Sequence, residues 1–306
     1  MKILLIGREG QVAWELRRSL ACLGETIALD RRSTPALDLT DPDSIRASVR
    51  QIRPGLIVNA GAYTAVDKAE QENDLAFRVN ALAPGILAEE ALNVGAGLIH
   101  YSTDYVFPGD GDDDAPYRED DPVGPQNAYG RSKLAGEEAI RQVGVPHFIL
   151  RTAWVYGRRG QNFLLTMLRL MRERELVRVV DDQFGAPTWS RLIAEATALM
   201  LAKSTANGRF EPGDRQGIYH LSCDGQTSWH GFACNIRDYS LEKGLLPESA
   251  ARLEPIPSSE YPTPARRPKY SVLSNKRLFE EFGLGLPDWD QALRFCLDEF
   301  AYRTKD

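Results

Sequence analysis

Tyr129 and Lys133 stand four residues apart in Tyr-Gly-Arg-Ser-Lys, a spacing that puts both on one face of a helix. An ammonium beside a phenol favours the phenolate and would bring the tyrosine pKa down towards working pH. Such a tyrosine could hand a proton to a carbonyl oxygen while hydride attacks the carbon. The spacing alone decides little, because Tyr239 and Lys243 repeat it. Context separates the pairs. Tyr129 follows a predicted strand whose carboxyl end carries Ser102-Thr103-Asp104, where the Thr103 hydroxyl could bond the same oxygen. Tyr239 lies far from any such strand end and reads as a helix-surface pair.

The hydride donor has its own signature. Gly7-Arg-Glu-Gly10-Gln-Val-Ala13 follows an apolar run and opens an amphipathic one. Gly7 would permit a tight turn, Gly10 would let the backbone approach a pyrophosphate, and Ala13 would allow close helix–strand packing. The pyrophosphate would sit on the helix N-terminus. Asp30 closes the next apolar run, where an acid grips the adenosine ribose and favours NAD. Arg31 and Arg32, helped by Arg8, would instead hold a 2′-phosphate. The cofactor is expected to be NADPH or NADH, with NADPH slightly ahead.

The elements that must position these groups alternate along the chain. Apolar runs predict strands at 2–6, 26–29, 56–59, 98–102 and 148–152. Helical spacing predicts helices at 11–23, 74–93 and 128–142, and one from Asp41 to about 52 with Pro42 at its first position. Strands separated by helices imply right-handed crossovers and a parallel sheet. After about Gly157 the pattern loosens into helices near 162–174, 191–202, 227–244 and 288–302, with strands near 177–180 and 218–221. The expected fold class is α/β, a Rossmann-type doubly wound parallel sheet with a smaller C-terminal α/β substrate lobe. The dinucleotide-binding domain would span 1–157 and the lobe mainly 158–306, with some of its segments returning to the sheet.

Composition removes other classes. The chain has 306 residues, of which 43% are hydrophobic and 26% charged, an ordinary globular balance. The net charge of −6 argues against a nucleic-acid partner. No apolar run is long enough to span a membrane, and Arg8 and Glu9 end the N-terminal run short of a signal peptide. Four cysteines without paired spacing fit a reducing, cytoplasmic setting. His220, Cys223, His230 and Cys234 match no common zinc spacing. The acidic run at 110–114 lacks calcium-loop order and reads as a solvated, mobile loop. Trp154, after the fifth strand, is expected to pack on substrate, whereas Trp229 and Trp289 read as lobe packing. Arg266 and Arg267 are either surface charge or a grip on a diphosphate.

Longer segments carry a resemblance over almost the whole chain. They are Gly7-x-x-Gly10-Gln11-Val12, the run from Val58 to Glu70, and His100-Tyr-Ser-Thr-Asp-Tyr-Val-Phe-Pro-Gly109. They continue in Tyr129-Gly-x-Ser-Lys-Leu-Ala-Gly-Glu137, Arg151-Thr-Ala-Trp-Val-Tyr156, Asp182-Gln-Phe-Gly-Ala-Pro-Thr188 and Tyr261-Pro-Thr-Pro-Ala-Arg-Arg-Pro268. Together they resemble the extended short-chain dehydrogenase/reductases, and within them the dTDP-4-dehydrorhamnose reductase family. The resemblance implies reduction of the 4-keto group of a dTDP-sugar, the last step of dTDP-L-rhamnose synthesis.

Carried over, it places Gly10, Gln11, Val12, Asp30, Asp38, Leu39, Ala62, Tyr63 and Thr64 along the dinucleotide, with Asp38 and Leu39 by the adenine. Thr103 and Asp104 would contact the sugar, Tyr129 would donate the proton, and Lys133 would hold the nicotinamide ribose and tune Tyr129. Trp154 would pack on the substrate. Tyr270 stands where the family usually has Asn, at an edge of the nucleotide-sugar pocket. Some relatives are described as magnesium-dependent dimers. Arg191 stands where acidic company is expected, so no metal is carried over, while a homodimer remains open. The alternatives are another dTDP-deoxysugar ketoreductase, an epimerase holding NAD, or a non-catalytic dinucleotide-binding regulatory subunit resembling the methionine adenosyltransferase beta subunit.

Overall fold

Short apolar runs that alternate between two faces build the centre of the molecule. The computed structural model describes residues 1–110 and 115–301. Its longer strands are β1 (Lys2–Ile6), β2 (Glu25–Leu29), β3 (Leu56–Asn59), β4 (Gly97–Thr103), β5 (His147–Thr152), β6 (Leu176–Val180), β7 (Gly217–His220) and β8 (Arg252–Ile256). Six of them form one parallel sheet in the order β7-β5-β4-β3-β1-β2, a Rossmann-type arrangement. Ile3, Leu5, Val58 and Ile99 point into one core, and Leu4, Ile6, Ile57 and Leu98 into the other. Both faces are covered, which is why the strands read as unbroken apolar runs.

On the first face lie α1 (Gln11–Ser19) and, from the C-terminal half, α6 (Ser190–Lys203), packed against each other. On the second lie α2 (Pro42–Ile52), α3 (Ala83–Val94) and α4 (Ala128–Val143). Local chemistry sets several starts. The Asp41 carboxylate accepts the Asp43 N–H at 3.0 Å with Pro42 behind it, and the Asn127 amide oxygen accepts the Gly130 N–H at 2.8 Å. Two glycines let α4 lie against other backbones. A Cβ at Gly130 would stand 2.3 Å from the Tyr105 carbonyl oxygen, and one at Gly136 would stand 2.1 Å from that of Asn80.

The C-terminal half adds α5 (Phe163–Glu173), α7 (Trp229–Glu242), α8 (Lys276–Phe282) and α9 (Trp289–Ala301). Its β6 and β8 pair in parallel, apart from the main sheet. The sequence reading missed β8, because Pro255 sits inside it and prolines crowd that segment. The strand pairs on one side only, so a missing N–H is tolerated. β7 leaves the lobe and extends the main sheet beside β5. The helix expected over 74–93 is three pieces: Asn73–Phe77, a π-helical turn at Arg78–Leu82, and α3. The wide turn presents Asn80 to the site. α1 stops at Ser19 rather than 23, and α7 starts at Trp229 because Thr227–Ser228 pair with Phe184–Gly185. Residues 111–114 of the acidic run, and residue 302 of the last predicted helix, lie outside the described residues.

Candidate active site

Parallel strands deliver their carboxyl ends to one edge of the sheet, and the predicted residues gather there. β1 ends in Gly7, whose φ of +100° favours glycine and whose N–H reaches the Leu29 carbonyl at 2.8 Å. Gly10 precedes α1 with no side chain capping it, and nothing lies within 4 Å of where its Cβ would stand. The first N–H groups of α1 are thus open to an anion. A Cβ at Gly7 would meet the buried Ala13 methyl at 3.2 Å, so Ala13 fills the close-packing position. Gln11 spends its side chain on the protein, with its amide 3.3 Å from the Val155 carbonyl and its oxygen accepting from Asn162 at 2.9 Å. Beside it, Val12 is half-buried against the first-face core.

The second-strand turn is self-bonded. Asp30 accepts the Arg32 N–H at 2.8 Å, and the Arg31 and Arg32 side chains are exposed. Asp38 accepts both the backbone N–H and the hydroxyl of Thr40 at 2.8 Å, which orients the turn into α2. A Leu39 methyl carbon lies 2.8 Å from where a Gly61 Cβ would stand, so Asp38 and Leu39 meet the loop that carries Ala62, Tyr63 and Thr64. Asn80 pins that loop. Its amide accepts the Tyr63 N–H and donates to the Tyr63 carbonyl, each at 2.9 Å, and also donates to the Ser132 hydroxyl at 3.0 Å. The Tyr63 phenol donates to Glu72 at 2.6 Å, and burial with that bond pushes its pKa up to about 12. Nothing in the sequence marked Asn80 beyond a polar residue inside an otherwise helical stretch.

β4 ends in Thr103, whose hydroxyl donates to Asp104 at 2.9 Å and hydrogen-bonds the half-buried Tyr129 phenol. Burial raises Asp104 to about 6. The Tyr105 ring meets the Tyr129 ring edge-on, with centroids 5.7 Å apart. One expectation is corrected here. Desolvation raises the Tyr129 pKa, with Thr103 pulling it down and the Asp104 charge adding to the rise. The Lys133 ammonium does not lower it in this geometry. Lys133 is fully buried, and its Nζ donates to the Tyr101 carbonyl at 2.6 Å and lies 3.1 Å from His100 Nε2. Burial brings Lys133 down to about 8.

One turn along α4, Glu137 and Arg151 form a buried bidentate pair at 3.0 and 2.7 Å, and the Ser102 hydroxyl donates to the same carboxylate at 2.5 Å. The competing pair behaves differently. Tyr239 donates to Asp290 at 2.5 Å and lies under Arg294, while Lys243 pairs with Asp298 on the surface.

Trp154 sits at a φ of +45° after β5 and stacks face to face on Trp229 at 3.4 Å. Trp229 is therefore part of the Trp154 wall rather than lobe packing alone, and one face of the indole is already covered. Gly185 makes room for it, since a Cβ there would lie 2.5 Å from the ring. Tyr270 is buried against Tyr117 and donates to Gln226 at 3.0 Å, and Tyr270 and Gln226 both line a cavity of about 690 Å³. Arg267 is no free surface charge. It donates to Asp67 at 2.8 Å and lies 3.4 Å from the Tyr105 hydroxyl. Arg266 is exposed and lines a cleft of about 380 Å³ with Lys269, Tyr261 and Gln183. Arg191 pairs with Glu15 and Glu299. Among the described residues no cluster of His, Cys, Asp or Glu is arranged to hold a metal.

Comparison with known proteins identifies the family. The RmlD substrate binding domain family model matches residues 1–302. A curated protein of Burkholderia thailandensis, named dTDP-4-dehydrorhamnose reductase, is 49% identical across 97% of this chain and 98% of its own length. Its namesake from Escherichia coli K12 is 45% identical across 99% of each. A crystal structure of dTDP-4-dehydrorhamnose reductase from Bacillus anthracis in complex with NADP superimposes with a TM-score of 0.85 at 34% identity, covering 97% of this chain and 99% of that one. The chain belongs to the RmlD substrate binding domain family of the extended short-chain dehydrogenase/reductases.

Proposed function

We propose that this enzyme reduces the 4-keto group of dTDP-4-dehydro-L-rhamnose with NADPH, giving dTDP-L-rhamnose in the last step of dTDP-rhamnose synthesis. The observation that carries the reading is the Thr103–Tyr129 hydroxyl pair at the carboxyl end of β4, on the same sheet edge as the uncapped α1 N-terminus. The relatives named above act under that name, and one holds NADP.

The residues present fit a dinucleotide. Gly10 leaves a cradle that a Cβ would enter, and Arg31 and Arg32 are exposed and, among the described residues, in no ion pair, so that a 2′-phosphate could meet them. Gly7, Gly10 and the backbone of Gln11 and Val12 take the pyrophosphate. Asp30, Asp38 and Leu39 take the adenosine end, and Ala62, Tyr63 and Thr64 the middle. When bound, NADPH supplies the hydride.

Every other part of the step falls to side chains of this chain. Thr103, by turning its single hydroxyl proton from Asp104 to the substrate carbonyl oxygen, polarises that oxygen. Tyr129 gives its phenolic proton to the same oxygen as negative charge develops there. A raised pKa keeps the phenol protonated at neutral pH, which is the state reduction requires. Lys133, whose ammonium already donates to the Tyr101 carbonyl, would offer its remaining N–H groups to the nicotinamide ribose. Trp154, backed by Trp229, and the Arg267 cleft shape the sugar-nucleotide side.

The test is loss of reduced-nicotinamide absorbance with enzymatically prepared dTDP-4-dehydro-L-rhamnose, with the product identified by chromatography. Turnover to dTDP-L-rhamnose supports the reading. NADPH binding without turnover on this or a related dTDP-ketosugar would leave a regulatory subunit as the answer.

A further inference from the structure

Behind the catalytic helix lies a row of polar side chains with almost no access to water. Asn59 ends β3, His100 stands in β4, and Lys133 comes from α4. Each is at most 2% exposed. Asn59 Nδ2 is 3.1 Å from His100 Nδ1, and His100 Nε2 is 3.1 Å from Lys133 Nζ. The far end is pinned, because Asn59 Oδ1 accepts the Gly61 backbone N–H at 3.2 Å. An amide whose oxygen is taken by an N–H offers only its NH₂ to the next neighbour. His100 Nδ1 must then be the acceptor, which leaves the single ring proton of a neutral imidazole on Nε2, facing Lys133. The imidazole is neutral, since burial and the Lys133 charge hold it well below its ordinary value.

We propose that Asn59 and His100 are positioning residues that set the charge of Lys133. Asn59 fixes the imidazole tautomer, and the N–H so aimed at Nζ favours the amine over the ammonium. This rests on the reductase reading only for its catalytic consequence. The other groups facing Lys133 pull the opposite way or stay silent. Glu137, one turn along α4, favours the ammonium, but Arg151 from β5 and the Ser102 hydroxyl from β4 already engage its carboxylate. The Tyr101 carbonyl accepts from either form of the amine. Asn59 also ties this row to Gly61, the residue before Ala62 and Tyr63 in the loop proposed to meet the dinucleotide.

The tautomer is read directly in the wild-type protein by nitrogen NMR of ¹⁵N-histidine-labelled enzyme. A His100→Gln variant identifies the signal. Protonated Nε2 with bare Nδ1 is expected. Protonated Nδ1 would overturn the proposal, whatever the substrate proves to be.

The second measurement is the pH profile of kcat/KM for NADPH-dependent reduction. In Asn59→Val the imidazole is free to move its proton to Nδ1 and accept from the ammonium. The basic limb should then shift to higher pH by at least ~0.5 unit. His100→Leu, which removes the opposing N–H, should shift it the same way. An unmoved limb or one moved to lower pH overturns the proposal, because a merely structural role would change rates without moving the limb upward. If the wild type showed no turnover, the reductase reading would fail, while the tautomer would still be measured.

Discussion

Arg267 reaches Asp67 at 2.8 Å across 200 positions of sequence, and the same guanidinium lies 3.4 Å from the Tyr105 hydroxyl. Asp67 follows β3 and Tyr105 follows β4, so one side chain from the C-terminal lobe ties both sheet-edge loops together. Tyr105 in turn meets the Tyr129 ring. The lobe is thereby linked through Tyr105 to the tyrosine proposed as proton donor. The pair is partly exposed, so its net worth is about 1 kcal/mol. Arg267→Ala should raise KM for the nucleotide sugar about 5-fold and leave NADPH affinity within error. Steady-state kinetics with a separate cofactor titration would show it, and a change confined to NADPH affinity would contradict it.

Tyr129→Phe removes the phenolic proton of the Thr103–Tyr129 pair, the one proposed to reach the carbonyl oxygen. The ring packing against the cluster of Ala69, Ala76 and Ala128 survives. We expect kcat to fall by roughly 10²–10⁴-fold with folding and NADPH binding retained. Near-full turnover in that variant would remove Tyr129 from its role.

Glu137 and Arg151 are both 2% exposed and bonded through two contacts. Removing one partner strands a buried charge. Glu137→Leu or Arg151→Met alone should cost about 3–5 kcal/mol in chemical denaturation. The double variant should cost less than either single one, because no charge is left unpaired. Additive losses would show that the two side chains act independently.

Asp104 carries a pH signature. Burial lifts its folded-state pKa from 3.8 to about 6. Its contribution to stability is therefore full below the unfolded value and is lost as pH rises through the folded one. Between about pH 4 and pH 6 the wild type should lose up to ~3 kcal/mol relative to Asp104→Asn, then run parallel to it. Denaturation midpoints of the two proteins across that range check the sign. A wild type that gained stability over the window would refute it.

Much of this architecture was readable from residue order alone. Apolar runs of strand length, separated by helical spacing, are local signals, and β1 to β5 lie within a residue or so of their expected places. The glycine turn and the Tyr129/Lys133 spacing are local as well, since a turn and one helical face need only adjacent residues. What tertiary packing added is every partner distant in sequence. Tyr129/Lys133 and Tyr239/Lys243 share a spacing, and only the sheet edge gives the first pair Thr103 while the second meets Asp290 and Asp298.

Desolvation is likewise invisible along the chain, and it reverses the expected direction of the Tyr129 pKa. Asn80 carried no pattern, and His100 and Arg267 stood in quoted segments without their partners, because those come from a π-helical turn, a neighbouring helix and a lobe that folds back over 200 positions. Gly185 shows both levels at once. Its place in Asp182-Gln-Phe-Gly-Ala-Pro-Thr188 is plain in the sequence, whereas its reason is the Trp154 ring that occupies the space a Cβ would need.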